Sequence, residues 1–177
     1  MKKIAIAVLL SGVIATPAIA ADMYAGIRVG QAKTSIDNTT LDTANPTGWG
    51  VFAGYTFNPN FAAEAEYLDL GEIKASGGSG SAKSSGFSIS GVGSYPINDQ
   101  FSVFAKLGYA MITSKMSGGG GSADAKSNGV TYGVGAQYNV SPTIGVRLGW
   151  DQYKFDDSGQ TFKGNADLIS IGAVFKF

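Results

Sequence analysis

Apolar side chains occupy alternate positions at the end of the chain, in the segment LISIGAVFKF. Ile169, Ile171 and Phe175 fall on one side of this segment, and Ser170 and Lys176 fall on the other. A period of two indicates a β-strand with one apolar face. Seven earlier segments show the same period, and no other apolar run reaches the roughly 18 residues that a membrane helix needs. The strands that this pattern predicts are 23–33, 48–57, 61–70, 86–95, 101–113, 129–140, 143–153 and 165–177.

The connections between these strands alternate between short and long. The short ones contain proline and cover 58–60, 96–100 and 141–142, whereas the long ones cover 33–47, 71–85, 114–128 and 154–164. Short turns at one end and long loops at the other are typical of outer-membrane barrels. The glycine runs in the second and third long loops favour flexible loops over phosphate binding, because a phosphate-binding loop leads from a strand into a helix.

The two faces of the predicted strands differ sharply. One face has no charge, with aliphatic side chains in the middle and aromatic ones towards both ends, a pattern typical of lipid-facing strands with two aromatic girdles. The predicted girdles consist of Trp49, Phe57, Phe61, Tyr67, Phe87, Tyr95, Phe101, Tyr109, Tyr138, Trp150 and Phe175. The opposite face carries mostly Gly, Ser and Ala, with Tyr24, Phe52 and Phe104 as bulky exceptions that we expect inside.

A soluble barrel of the lipocalin kind would turn the apolar face inward. The apolar face holds too many large aromatics for the interior of an eight-stranded barrel, which side chains only just fill. We therefore predict an all-β fold, an eight-stranded antiparallel up-and-down transmembrane β-barrel with its apolar face towards lipid.

The N-terminal segment has the features of a secretory leader. A cationic start with Lys2 and Lys3 precedes an apolar stretch over 4–14, and Ala18-Ile19-Ala20 fits a cleavage site between small residues. A transmembrane anchor is the alternative, but the apolar stretch is too short for one. The predicted organisation is a signal peptide over 1–20 and a single outer-membrane barrel domain over 21–177.

The composition weighs against several classes of function. Lys and Arg balance Asp and Glu over the whole chain, and no basic patch suggests nucleic acid. The chain has no Cys and no His, so thiolate and imidazole metal sites and histidine general bases are excluded. We expect no enzyme, no cofactor and no metal site. Weak calcium binding by loop carboxylates is a remote alternative to solvated loops, and the carboxylates concerned are Asp37, Asp42, Asp124, Asp156 and Asp157.

Charged and amide side chains on the inward face lie at a similar distance from the short-turn ends of their strands. This predicted polar layer consists of Arg28, Glu64, Glu66, Lys106, Gln137 and Arg147. Glu64 is on the third strand and Arg147 on the seventh, so in a ring of eight they should face each other across the lumen. Because unpaired buried charge is costly, we predict a salt-bridged plug, with gated passage of small ions as the alternative. As a glycosidase pair, Glu64 and Glu66 would need sugar access, which a filled lumen denies.

Several short segments resemble the family of eight-stranded barrels related to outer membrane protein A. Glu64 falls where that family carries an inward glutamate, and the resemblance spans nearly all of 23–177. The segments that carry it are MYAGIRVG (23–30), GYTFNP (54–59), YPI (95–97), KLG (106–108), QY (137–138), SP (141–142) and RL (147–148).

The resemblance implies a plug of two crossed acid–base pairs in the lumen. Glu64 and Arg147 match one pair, whereas Val92 and Gln137 stand where the second pair would be. The family's peptidoglycan-binding domain follows the barrel, and the sequence stops at the eighth predicted strand, so we expect no cell-wall tether.

The resemblance also implies a location and partners. We expect a monomer in the outer membrane of a Gram-negative bacterium, surrounded by the lipid bilayer and lipopolysaccharide. Periplasmic chaperones and the barrel assembly machinery would act during biogenesis, with Phe177 as the assembly signal. The expected function is outer-membrane integrity with surface-exposed loops; the alternatives are a small-solute or ion pore and an adhesin or host-interaction protein. The sequence names no loop partner.

Overall fold

A computed structural model of the chain describes residues 22–36, 46–74, 81–118, 121–156 and 163–177, and the predicted signal peptide over 1–20 lies outside them. The described residues form eight β-strands. Their bounds are β1 (Met23–Ile36), β2 (Thr47–Asn58), β3 (Phe61–Lys74), β4 (Ser81–Pro96), β5 (Phe101–Gly118), β6 (Gly121–Asn139), β7 (Ile144–Asp156) and β8 (Lys163–Lys176).

The strands close into a barrel in chain order. Each strand pairs antiparallel with the next, and β8 pairs antiparallel with β1. The predicted eight-stranded up-and-down barrel is therefore confirmed. Among the described residues, no helix has the length and apolarity needed to cross a membrane.

The apolar face of the strands lies on the outside of the barrel. Along β2, exposed Trp49 and Val51 alternate with buried Gly50 and Phe52. On β5, Leu107 is 65% exposed although it lies in the middle of the strand. An aliphatic side chain this exposed in a ring of similar neighbours is typical of a surface solvated by hydrocarbon.

The β5–β6 hairpin is longer than the sequence predicted. Residues 114–128 were expected to form a long loop, but the two strands continue through them, with Ser114 opposite Ala125 and Gly118 opposite Gly121. The prediction was wrong because backbone pairing does not need apolar side chains, and Gly and Ser make up about half of the segment 114–128. The β3–β4 hairpin likewise reaches into the expected loop 71–85, with Glu72 opposite Lys83.

A bulge on β3 marks the start of that extension. The pairing of β3 with β4 shifts between Asp69 and Glu72, and Gly71 has a positive φ of 84°. The N–H of Gly71 donates to Oδ1 of Asp69 over 2.9 Å, so an aspartate and a glycine together stabilise the irregular backbone.

Side chains fill the barrel interior in three layers. The layer near the short turns contains Tyr24, Phe52 and Val174, packed together, with buried Phe104 and Val92 nearby. A charged layer lies in the middle. The layer towards the long loops is aliphatic apart from one tyrosine and consists of Ala32, Leu68, Leu70, Ala110, Ile112, Tyr153, Ala166 and Leu168. The sequence analysis placed Tyr24, Phe52 and Phe104 inside, but it did not anticipate the aliphatic layer.

Candidate functional site: the lumen network

The charged layer is the densest group of polar side chains in the described part of the barrel. Inward-facing positions of β1, β3, β5 and β7 supply its ionic groups, because alternate side chains of every strand point into the lumen. All the predicted polar-layer residues project into the lumen, and all six take part in one connected network with Asp151.

Arg28 occupies the side of the network nearest the long loops. Its guanidinium forms ion pairs with Glu66 and Asp151, both of which are buried. It also donates to the hydroxyl of Tyr153 over 2.7 Å. Tyr153 belongs to the aliphatic layer, so this hydrogen bond ties the charged layer to the layer above it.

Lys106 lies at the centre of the network. Its ammonium nitrogen is 3.3 Å from Oε1 of Glu64, 3.2 Å from Oδ1 of Asp151 and 3.7 Å from Oε2 of Glu66. One ammonium therefore links carboxylates from both sides of the barrel.

Arg147 occupies the side of the network nearest the short turns. Its Nη1 donates to Oε2 of Glu64 over 2.6 Å, and its Nε and Nη2 donate to Oε1 of Gln137 over 3.2 and 3.1 Å. Tyr24 donates to the same Glu64 oxygen over 3.0 Å. The strands of Glu64 and Arg147 are opposed in the ring, and their side chains meet across the lumen.

Aromatic rings surround the Arg147 guanidinium. Its Cζ atom lies 5.4, 4.9 and 4.8 Å from the ring centroids of Tyr24, Phe52 and Phe104. Such contacts favour a cation that has lost much of its water.

Glycines make room for these rings. A Cβ on Gly54 would lie 2.1 Å from Cζ of Tyr24, far inside van der Waals contact. The many glycines of the inward face therefore allow aromatic rings to lie flat against the barrel wall in a narrow lumen.

The charges of the network balance. Among the described lumen residues, Arg28, Lys106 and Arg147 are matched by three carboxylates, those of Glu64, Glu66 and Asp151. Balance matters because an unpaired buried charge costs several kcal/mol. The neutral residues Val92 and Gln137 are compatible with this, since Lys106 and Asp151 supply a further cation and anion from other strands.

Asp151 is the network residue that the sequence analysis left out. It was placed on the inward face of its strand, but it lies farther from the short turn than the other candidates. Strands in a closed barrel are tilted and staggered, so residues at equal distances from their turns do not lie at equal heights. A selection of all charged residues on the inward faces, without regard to their distance from the short turns, would have included Asp151.

The network leaves almost no free space and no site for a metal. The cavity within it, bordered by Arg28, Glu64, Lys106, Arg147 and others, measures about 10 Å³, at the lower limit for a single water. Within the described ranges, no group of three or more Asp, Glu, His or Cys residues has the arrangement of a metal site. Of the loop carboxylates considered for calcium, Asp37, Asp42 and Asp157 and the side chains of Asp124 and Asp156 lie outside what the structure describes.

The girdle aromatics named from the sequence occupy outward-facing positions of their strands. Most are well exposed, whereas Phe101, Trp150 and Phe175 are half-buried. Trp150 packs edge-on against Tyr132, with ring centroids 6.1 Å apart. Phe177 closes the C-terminal end of β8, and its N–H donates to the carbonyl of Met23 over 3.0 Å.

Comparison with known proteins agrees with this architecture. The family described as "Outer membrane protein beta-barrel domain" matches residues 5–177. Outer membrane protein A of Salmonella typhi is 32% identical over 196 residues, which cover 100% of this chain and 56% of that protein. Outer membrane protein P5 of Haemophilus influenzae is 32% identical over 176 residues, covering 84% and 50%. The chain thus spans about half the length of the curated relatives it matches.

A solved structure supports the fold independently. The crystal structure of Neisserial surface protein A superposes with a TM-score of 0.72 at 19% identity, covering 88% of this chain and 97% of that one. The family match covers nearly the whole chain, and the resemblance found in the sequence is confirmed. The chain belongs to the outer membrane protein β-barrel domain family and is an outer-membrane β-barrel related to outer membrane protein A.

Proposed function

We propose that this protein is a structural component of the outer membrane of a Gram-negative bacterium, where it contributes to membrane integrity and carries surface-exposed loops. The observation that supports this most directly is the filled lumen. A balanced ionic layer with about 10 Å³ of free space lies between an aromatic layer and an aliphatic one. Because the lumen has no room for a chain of waters, the barrel has no conduit. Its lipid-facing surface and its loops are the parts that remain available for a function.

The same proposal includes the route to the membrane. The leader over 1–20 would direct export, and periplasmic chaperones and the barrel assembly machinery would fold the chain into the bilayer beside lipopolysaccharide. Support for a lipid environment comes from the exposed aliphatic face, on which Ile169 is 60% and Val134 54% exposed. Phe177, at the end of β8, is the proposed assembly signal.

A deletion strain of the source bacterium tests the integrity function. We expect greater uptake of a hydrophobic dye and greater sensitivity to detergent, both restored by the wild-type gene on a plasmid. Unchanged dye uptake and detergent sensitivity in the deletion strain would refute the proposal. The deletion strain that carries the gene on a plasmid also allows variants in the loops and the lumen to be compared at equal expression.

Gated ion passage is the second candidate, because Glu64 has two alternative cationic partners. Arg147 and Lys106 both contact it, so Arg147 could leave without stranding the carboxylate. Planar-bilayer recordings of the wild type and Glu64→Ala separate the candidates, with Asp99→Ala, an exposed carboxylate in the second short turn, as the matched control. A gate predicts more frequent or larger openings for Glu64→Ala alone; identical traces would count against a gate.

Surface attachment is a third candidate, supported by the length of the β5–β6 hairpin. Its strands continue to Gly118 and Gly121, beyond the pairing of β6 with β7, which stops at Asn128 and Asp156. A strain that carries a deletion of 114–128 should adhere to host cells less than the wild type if this hairpin is an adhesin. Equal adherence would remove this candidate.

A further inference from the structure

A second cavity opens at the short-turn end of the barrel, separate from the space within the network. It measures about 590 Å³, and its lining includes Tyr24, Phe104 and Arg147 on the inside and turn residues such as Pro59 and Asn98 at the rim. We call this cavity the vestibule. The closed network separates it from the long-loop end, so a molecule could enter and leave only past the short turns.

A chain of hydrogen bonds orients the amide groups along one wall of the vestibule. Arg147 can only donate, so the oxygen of Gln137 must face it. The Nε2 of Gln137 then donates to Oδ1 of Asn139 over 2.9 Å. Nζ of Lys176 donates to the same oxygen, also over 2.9 Å.

This arrangement leaves donors without acceptors. Nδ2 of Asn139 and two of the three N–H groups of Lys176 have no partner among the described residues. The chain of hydrogen bonds runs from Arg147 to Lys176 through two side-chain amides, and the oxygen of each amide already accepts hydrogen bonds. A wall of this kind is complementary to an anion.

The charge balance points the same way. The lumen network is neutral by itself, so Lys176 adds a positive charge for which no carboxylate of the described chain lies within ion-pair distance. Asp22 and Asp99 line the rim of the vestibule, but both are exposed and form no ion pair with Lys176. Their repulsion of an anion is screened by water and salt.

Part of the remaining lining is apolar, and the rest, which includes Thr56, Ser94 and Ser102, is polar. Ala62, Val92 and Val174 line the vestibule together with the rings of Tyr24 and Phe104. The apolar part of this wall suits a short hydrocarbon segment of a ligand.

We propose that the vestibule binds a small organic monocarboxylate. Its carboxylate accepts hydrogen bonds from Nζ of Lys176 and Nδ2 of Asn139, and its short aliphatic part lies against the apolar wall. This site would take its ligand from the side of the short turns. It does not depend on whether the lumen conducts ions or whether the barrel maintains membrane integrity.

NMR titration of the refolded, ¹⁵N-labelled protein in zwitterionic micelles tests the site, with sodium propionate as the probe. Sodium chloride at equal ionic strength serves as the reference. We expect saturable shifts of the Asn139 and Gln137 side-chain amides with propionate, and small shifts without saturation with chloride. Equal responses to the two salts would overturn the proposal.

Two variants locate the carboxylate. Lys176→Gln should weaken propionate binding at least about tenfold, since a hydrogen bond to a charged group is lost, whereas Lys33→Gln, the same change on the exposed long-loop end of β1, should leave it unchanged. Asn139→Asp attaches a carboxylate beside Lys176 and should abolish binding while the barrel stays folded, as shown by its mobility in unheated gels. Wild-type affinity in Asn139→Asp, or equal losses in the two lysine variants, would contradict the site.

Discussion

Lys106 holds the lumen network together at the scale of single residues. Its ammonium lies between 3.2 and 3.7 Å from an oxygen of each of Glu64, Glu66 and Asp151. No other cation of the described lumen contacts all three carboxylates. Changes at this residue therefore measure how far charge balance stabilises the barrel.

We expect Lys106→Met to lower the free energy of unfolding by about 3–5 kcal/mol, because it leaves three buried carboxylates with only two cations. The measurement is urea unfolding of the refolded barrel in lipid vesicles. The double variant Lys106→Met/Asp151→Asn restores neutrality and should recover part of this loss. A double variant as unstable as the sum of its single changes would contradict an account based on charge balance.

Gly54 offers a second test at this scale. Gly54→Ala places a methyl group 2.1 Å from the Tyr24 ring, so the ring must move away from Glu64, to which it donates. We expect a loss of about 1–3 kcal/mol in the free energy of unfolding, the usual cost of overpacking.

Gly91→Ala is the matched control for that variant. A Cβ there would meet only the carbonyl of Leu107 at 3.9 Å, on the lipid-facing surface, so unfolding should be unchanged or slightly more difficult. Equal losses in the two alanine variants would show that the backbone preference of glycine, rather than contact with Tyr24, explains why position 54 is occupied by glycine.

At the scale of elements, the barrel and the β5–β6 extension are separable. Barrel closure depends on ladders such as that between β6 and β7, which ends at Asn128 and Asp156. Residues 121–127 of β6, on the long-loop side of Asn128, pair only with β5. The same end of β5 pairs with β4 on its other side. The backbone hydrogen bonds of residues 121–127 lie beyond the β6–β7 ladder, and we expect them to contribute little to the stability of the closed ring.

Deleting 115–124 and joining the strands by a short turn should therefore leave folding intact. We expect the same heat-dependent gel mobility and a free energy of unfolding within about 1 kcal/mol of the wild type. The control is a deletion of equal length over 129–138, which removes inward Thr131 and Gln137 and should prevent barrel formation. A failure of the 115–124 deletion to fold would show that the extension participates in closure.

At the scale of the whole molecule, the outward face has to match the bilayer. Leu107→Arg puts a charge at an exposed position in the middle of β5 and should cost about 2–4 kcal/mol. Ser117→Arg, on the same face about 33 Å farther along the strand, should cost at most about 1 kcal/mol. Similar losses at the two positions in vesicle unfolding experiments would contradict the assigned bilayer depth.

The chain without its first twenty residues, 21–177, should also fold only in an apolar environment. We expect native gel mobility and β-sheet circular dichroism in detergent micelles or vesicles, and aggregation in buffer after the denaturant is diluted, because the outward aliphatic face would be exposed to water. A monodisperse, folded chain in plain buffer would refute the lipid-facing assignment.

The sequence alone determined the number of strands, their antiparallel order and the orientation of their faces. These follow from a period of two, from alternating turn lengths and from the volume that aromatic side chains need, all of which are local properties. The polar-layer residues could be named for the same reason, since inward parity belongs to each strand separately. The lengths of β5 and β6 could not be predicted, because apolar and polar residues no longer alternate in the sequence beyond the bilayer.

Only the tertiary structure decided which inward side chains meet. The stagger of the closed barrel raises Asp151 to the level of Arg28 and Lys106, although it lies farther along its strand than they do along theirs. The same closure packs Leu68 and Leu168 into a layer above the charges and leaves Lys176 with an amide rather than a carboxylate as its partner. Such contacts join residues far apart in the chain, and they depend on the tilt and shear of the complete ring, which no single strand encodes.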